Sequence, residues 1–82
     1  MYDLISYVVR GKVRLSVLSV LSKPMTPTKI ADLLKNHRST VSRSLIDMEK
    51  KGLVKCLTPK EKTGRLYTIT KNGKSILEKV GS

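Results

Sequence analysis

The strongest constraint on the fold of this chain comes from residues 26–52, which read TPTKIADLLKNHRSTVSRSLIDMEKKG. In the second half of this stretch the apolar residues Val41, Leu45 and Met48 recur at steps of four and three, which is the period of a helix buried along one side. We therefore expect a helix over 37–51 that packs by this stripe and leaves its opposite face free.

The first half of the stretch predicts a shorter helix over 26–35. Thr26 can cap a free amide with its hydroxyl group, and Pro27 suits the first helical position, where no amide donor is needed. Asn36 tolerates the left-handed conformation that often ends a helix, so Asn36 or His37 is expected at the cap of the following helix. The two helices are thus joined by a tight turn.

The free face of the longer helix carries polar side chains that suit a nucleic acid. Hydroxyl groups donate and accept hydrogen bonds, and guanidinium groups donate two in parallel, so both types read base edges and hold phosphates in a DNA major groove. The residues with these groups are Arg38, Ser39, Thr40, Ser42 and Arg43. The role of His37 stays open between a cap or phosphate-facing surface residue, a base contact and a pH sensor.

The charge of the chain indicates the same class of partner. Its 82 residues include 17 Lys and Arg against 6 Asp and Glu, a formal net charge of +11, and such an excess favours binding to a polyanion. Nucleic acid is the first candidate and an anionic membrane surface the second, although the cations do not lie opposite one continuous exposed apolar face. The length suffices for one small domain over 1–82 with a modest core.

The sequence lacks the residues that several functional classes of protein need. There is no run of about 18 apolar residues to span a bilayer and no signal-peptide pattern, which predicts a cytoplasmic protein. The single cysteine, Cys56, excludes an internal disulfide and is expected to pack in a strand; with His37 as the one histidine, no metal site is expected. The carboxylates are scattered and no glycine-rich phosphate loop occurs, so neither an enzyme nor a cofactor is predicted.

Residues 1–10 form an apolar N-terminal extension with more large side chains than a free surface segment tolerates. It is either an extra turn of helix on the chain's own core or a contact between two subunits. A core-forming helix is predicted over 12–22, because Pro24 disfavours helical backbone at Lys23. The candidates for a subunit contact, from both ends of the chain, are Tyr2, Leu4, Ile5, Tyr7, Val8, Ile76 and Val80.

Past the helix over 37–51 the period of the apolar residues changes from 3.6 to 2, which predicts a β-hairpin over 53–69. Val54 and Cys56 share one face of its first strand, and the connection contains a proline and a glycine, as expected of a tip in solvent. The charged tip either keeps the strands soluble or faces the same partner as the helix. Its basic residues are Lys60, Lys62 and Arg65. A short helix over 71–80, capped by Thr70, is expected to follow.

Three segments resemble the winged helix-turn-helix transcription regulators of the MarR and ArsR kind, which are common in bacteria and archaea. The segment 26–34 resembles the entry-helix pattern TPxxIAxxL, 39–54 the recognition-helix pattern STVSRxLxxMExxGLV, and 64–73 the return-strand pattern GRxYxITxxG. Together with its surroundings the resemblance covers 12–80. It implies an α+β fold, mostly α, in which a three-helix core carries a two-stranded β-hairpin wing and a short C-terminal helix.

The resemblance also implies roles for individual residues. The polar side chains of the recognition helix, with His37, would face the major groove, and the wing arginine would reach the minor groove or the backbone. Residues expected at the backbone are Thr28, Lys55, Lys60, Lys62 and Arg65. Such wings usually have an acidic residue two places before the arginine, which holds the arginine side chain in place. This chain has Thr63 at that position. The family's long dimerising helices are abbreviated here, and the metal-binding cysteine pair of the ArsR sensors is absent from the sequence.

The sequence thus predicts a sequence-specific transcription regulator that binds double-stranded DNA. A homodimer is expected, because regulators of this type commonly bind two half-sites about one helical turn apart. The alternative is a winged-helix module that binds a protein or RNA partner through its N-terminal apolar segment, since the fold alone does not fix the partner.

Overall fold

The computed structural model describes residues 2–62 and 64–81 of the chain. Its elements, in order, are α1 (Tyr2–Arg10), α2 (Lys12–Val20), α3 (Pro27–Leu34), α4 (Arg38–Lys50), β1 (Val54–Cys56), β2 (Tyr67–Ile69) and α5 (Lys71–Gly81). The two strands form one antiparallel sheet. The predicted mostly helical α+β fold class is therefore confirmed.

Helices α2, α3 and α4 pack around one apolar core, which α1, α5 and the hairpin complete. The stripe predicted on α4 faces this core, since Val41, Leu45 and Met48 have no exposed surface. Leu18 of α2 and Ile30 of α3 are equally enclosed. Burying a large aliphatic side chain contributes about 1.5–3 kcal/mol, so this stripe holds α4 firmly with its polar face outward.

The N-terminal extension is a helix of its own, α1, which packs on α2 and α5. Gly11 separates α1 from α2 with extended backbone, at φ −106° and ψ 107°. Val8 of α1 and Ile76 of α5 are completely buried inside the single chain. The prediction of a subunit contact is wrong for these two positions, because a side chain enclosed within one chain has no surface left for a second. The side chain of Tyr2 lies outside the described part.

The turn between α3 and α4 differs by one residue from the prediction. Lys35, not Asn36, has left-handed backbone, with φ 55°. The Asn36 N–H donates to the carbonyl of Ala31 at 3.0 Å, a bond typical of a Schellman helix ending, in which the left-handed residue precedes the donor. His37 caps α4 by backbone position alone, since its side chain forms no capping hydrogen bond.

Both predicted threonine caps are confirmed. Thr26 Oγ1 accepts a hydrogen bond from the Lys29 N–H at 3.2 Å. Thr70 Oγ1 accepts one from the Gly73 N–H at 3.2 Å and donates to the Gly52 carbonyl at 2.6 Å. The Thr70 hydroxyl therefore joins the start of α5 to the segment that leaves α4.

The hairpin has shorter strands than its predicted range and a third partner that the sequence did not indicate. Val54 pairs with Ile69, and Cys56, which is half-buried, pairs with Tyr67. On the other side of β2, the Met25 N–H donates to the Tyr67 carbonyl at 3.0 Å, and the Tyr67 N–H donates to the Met25 carbonyl at 2.8 Å. Tyr67 thus faces Cys56 of β1 on one side and is hydrogen-bonded to Met25 on the other, which fixes the base of the wing against the approach to α3.

Candidate nucleic-acid interface

Helix α4 presents opposite faces to the core and to solvent. With about 100° between successive helical residues, Ser39 and Arg43 lie opposite the buried stripe, and both are exposed. Arg38 and Thr40 are also exposed, and Ser42 is half-buried. The guanidinium groups of Arg38 and Arg43 form no ion pair within the described part of the chain. The face that the sequence predicted to be free is therefore open in the folded chain.

A groove of about 410 Å³ lies between α4 and the wing. Thr28, at the start of α3, lines it together with Arg38 and Ser42 of α4. Lys62 and Arg65 line it from the wing. The fold therefore brings two guanidinium groups, one ammonium group and several hydroxyl groups from three separate parts of the sequence into one concave surface.

The wing arginine is held by the main chain of its own hairpin. Arg65 Nε donates to the Glu61 carbonyl at 2.6 Å. The Thr58 Oγ1 accepts a hydrogen bond from the Leu66 N–H at 3.0 Å, which closes the hairpin near its tip. Thr63, where the sequence resemblance leads us to expect an acidic residue, lies outside the described residues. Arg65 thus has a support other than an acidic residue, a backbone carbonyl.

Six predicted contact residues do not form walls of this groove. Ser39, Thr40 and Arg43 line a separate concavity, and the other three line neither one. Lys55 is exposed on β1, Lys60 is exposed at the wing tip, and His37 is exposed before α4. The two lysines add positive charge to the exposed surface of the wing.

The structure adds two residues that the sequence did not single out. Ile46 is 47% exposed although it is apolar, and it lines the groove one helical turn beyond Ser42. The sequence could have indicated Ile46, because it is an apolar residue that lies outside the buried stripe of α4. Arg14 of α2 lines a second concavity, of about 250 Å³, with Ser39 and Arg43 of α4. No local pattern indicates this, because α2 and α4 meet only in the folded chain.

Two cations lie over the ring of Tyr7 of α1. Arg14 Nη1 donates to the Tyr7 carbonyl at 2.6 Å, and the Arg14 guanidinium lies 3.9 Å from the centre of the Tyr7 ring. Lys51 Nζ lies 4.8 Å from the same centre. The Tyr7 hydroxyl is buried without a hydrogen-bond partner among the described residues. Burial raises the pKa of Tyr7 above its usual value of 10.0, and Arg14 opposes this effect.

Residues 2–62 and 64–81 contain neither a metal-binding cluster nor a membrane-spanning helix. No group of His, Cys, Asp and Glu side chains there is arranged to hold a metal ion. None of the helices there combines the length and the apolar character that a membrane span requires.

Solved structures with the same fold include several regulators. MepR from S. aureus, determined as a complex with DNA, superposes with a TM-score of 0.78 at 20% identity, over 98% of this chain and 69% of MepR. The multiple antibiotic resistance repressor MarR superposes with a TM-score of 0.73 at 25% identity, over 95% of this chain and 62% of MarR. The ST1889 protein from the archaeon Sulfolobus tokodaii gives 0.67 at 30% identity, over 98% of this chain and 79% of ST1889.

The chain spans less than two thirds of some of these proteins, since it covers 62% of MarR and 57% of RV1404 from Mycobacterium tuberculosis. No curated protein matches it. The winged-helix fold of the MarR type, which the sequence resemblance implied, is confirmed by the superpositions. The model of the HVO_A0261 N-terminal domain matches residues 2–82, and the chain therefore belongs to the HVO_A0261 N-terminal domain family.

Proposed function

We propose that this chain binds double-stranded DNA in a sequence-specific way and regulates transcription. Helix α4 enters the major groove, and the wing follows the flanking backbone or the minor groove. The observation that carries the proposal is the groove between α4 and the wing, because it collects cationic and hydroxyl side chains from three parts of the chain on one surface.

The dimensions of DNA support this arrangement. The major groove of B-DNA is about 12 Å wide, which accepts a helix of about 10–12 Å diameter. With α4 in the major groove and the wing at the neighbouring minor groove, the phosphate strand between them follows the groove of the protein. Arg38 on one wall and Arg65 on the other then offer charge-assisted hydrogen bonds to its phosphates. The net charge of +11 adds attraction at longer range.

Relatives in fold support the same activity by analogy. MepR is found in a complex with DNA, and MarR is a repressor. The polar face of α4 and the basic wing give this chain side chains suited to that activity.

We also propose that the chain acts as a homodimer. Leu4 and Ile5 of α1 and Val80 of α5 are only half-buried, as is Tyr7. Val9 of α1 is 52% exposed. A second copy would cover this apolar surface and place two α4 helices at half-sites about 34 Å apart. Sedimentation of the protein without DNA measures the subunit count, and a monomer at micromolar concentration would contradict this part of the proposal.

The salt dependence of binding tests the proposed function. If Lys and Arg neutralise on the order of 5 phosphates per subunit, the logarithm of the affinity should fall against the logarithm of the salt concentration with a slope near −4 to −5. Fluorescence anisotropy with a labelled duplex measures this slope. Binding that is independent of salt would exclude the proposed interface.

Substitutions separate base reading from phosphate contact. We expect Arg43→Ala or Ser42→Ala to weaken a preferred site by roughly 1–3 kcal/mol, with little effect on random duplex. Lys60→Ala and Lys62→Ala should weaken all sequences alike, because they contact phosphates. Footprinting after selection of genomic fragments supplies the preferred site. Equal losses on preferred and random duplex for the two α4 variants would refute this division.

A further inference from the structure

The second concavity, which we name the α2 recess, lies on the flank of α4 away from the wing. It is lined by Arg14 of α2 and by Ser39, Thr40, Arg43, Ser44 and Asp47 of α4. Around the helix axis, at about 100° per residue, the α4 residues that line the wing groove and those that line the α2 recess occupy adjoining, separate sectors. The polar face of α4 is thus a ridge between two concave surfaces.

Arg14 is held in place before any ligand arrives. Its Nη1 donates to the Tyr7 carbonyl at 2.6 Å, and its guanidinium stacks 3.9 Å from the Tyr7 ring centre. A guanidinium group has five N–H donors, and the bond to Tyr7 uses one of them. A stacked arginine loses little further rotamer freedom when it binds an anion. Arg14 is therefore preorganised in the wall of the recess that Ser39 and Thr40 also line.

The charge of the recess suits a phosphate at one end. The recess has two guanidinium groups, of Arg14 and Arg43, and one carboxylate, of Asp47, so its charged groups leave an excess of positive charge. Asp47 lies four residues beyond Arg43 and seven beyond Thr40, which is about 6 Å and about 10 Å along the helix axis. The end of the recess formed by Ser39 and Thr40 is therefore the one farther from the carboxylate.

We propose that the α2 recess binds a backbone phosphate of the DNA strand that the wing does not contact. This inference rests on the proposed function. A helix in a major groove has one phosphate strand on each flank, because the groove is about as wide as the helix. The wing groove receives one strand, and the α2 recess receives the other through Arg14. Arg14 thereby adds a phosphate contact from α2, in addition to the contacts from α3, α4 and the wing.

The test compares the salt slopes of three variants with that of the unaltered chain. Arg14→Gln should make the slope less steep by about 1 on preferred and random duplex alike, since one phosphate contact is lost. Arg14→Lys, which keeps the charge, should keep the slope. Lys12→Gln is the matched control, because Lys12 is exposed on the same helix and does not line the recess; its slope should stay unchanged.

The outcomes separate this inference from the proposed function. If the unaltered chain shows a slope near −4 to −5 and Arg14→Gln keeps it, the inference is refuted and the proposed function stands. An unaltered chain without salt dependence would refute both. A change in Lys12→Gln as large as that in Arg14→Gln would also overturn the inference, because general charge would then explain it.

A second measurement covers the possibility that Arg14→Gln loosens the contact with Tyr7 and unfolds the chain. Duplexes with a single neutral methylphosphonate are scanned along the strand away from the wing, against the unaltered chain and Arg14→Lys. One position should reduce the salt slope by about 1 in both proteins, and in a folded Arg14→Gln variant that position should have no further effect. If no position on this strand reduces the slope, the recess does not bind a phosphate.

Discussion

Replacement of Gly73 by alanine tests whether the wing and α5 pack as closely as the structure shows. Gly73 lies in the first turn of α5 and does not have a positive φ, so alanine meets no backbone penalty there. An added Cβ would lie 2.3 Å from the Leu53 carbonyl oxygen and 2.6 Å from Cγ1 of Ile69. The cost of Gly73→Ala is therefore steric.

The magnitude follows from what must move. Cβ contacts under 3.0 Å essentially never occur, so the Leu53 carbonyl must shift by at least about 0.7 Å, the difference between 2.3 and 3.0 Å. That carbonyl accepts the Thr70 N–H at 3.0 Å, and weakening this bond costs about 1 kcal/mol. Overpacking costs about 1–3 kcal/mol, and the better helix propensity of alanine returns up to about 1 kcal/mol. We expect a net loss of about 1–3 kcal/mol in the free energy of unfolding.

Thermal unfolding followed by circular dichroism measures this loss. For a domain of this size 2 kcal/mol corresponds to a Tm lower by roughly 8–16 °C. Lys74→Ala is the matched control, because Lys74 is the next residue of the same helix and is exposed; it should change the stability by no more than about 0.5 kcal/mol. A Gly73→Ala protein that melts at or above the Tm of the unaltered chain would show that α5 does not pack this closely on the wing.

Three further predictions concern single side chains. Thr26→Ala should lower the free energy of unfolding in urea by about 1 kcal/mol through loss of the cap on α3, whereas Thr26→Ser, which keeps the hydroxyl, should not. Tyr7→Phe should leave stability at neutral pH equal or slightly higher, because it removes a buried hydroxyl without a partner. Burial raises the pKa of Tyr7, so the unfolded chain releases the hydroxyl proton at a lower pH than the folded chain does. The unaltered chain should therefore lose stability as the pH rises above about 10. Urea titrations between about pH 8 and 11 should show a smaller loss of stability for Tyr7→Phe. Ile46→Ala should leave the Tm unchanged but weaken a preferred site by about 1 kcal/mol in anisotropy titrations, as expected of an apolar contact with a thymine methyl group; an equal loss on random duplex would contradict this.

Elements with a strong local signal were predicted nearly to the residue. Helix α4 occupies Arg38–Lys50, one residue inside each end of the predicted range, and α3 occupies Pro27–Leu34 within its own. A helical stripe and a threonine cap act over three or four residues, so neighbouring side chains are enough to reveal them. The exposed face of α4 follows from the same stripe, because the residues opposite the buried ones must point outward.

Other features depend on residues that are distant in the sequence. The left-handed residue fell at Lys35 because the amide after it reaches back to Ala31, which residue preference alone does not indicate. The third partner of the hairpin joins Met25 to Tyr67. The burial of Val8 depends on where α1 folds, and the hydrophobicity of a segment is the same whether it covers its own core or a second subunit.

The sequence by itself determined the class of fold, the polar face of α4 and the positive charge around it, since these depend on period, capping and composition. Only the tertiary structure decided that Arg38 and Arg65 share one groove and that Arg14 reaches the other flank of α4. The physical reason is that a concave site needs walls from separate elements. Their relative placement is fixed by the packing of the whole core, which no short stretch of sequence contains.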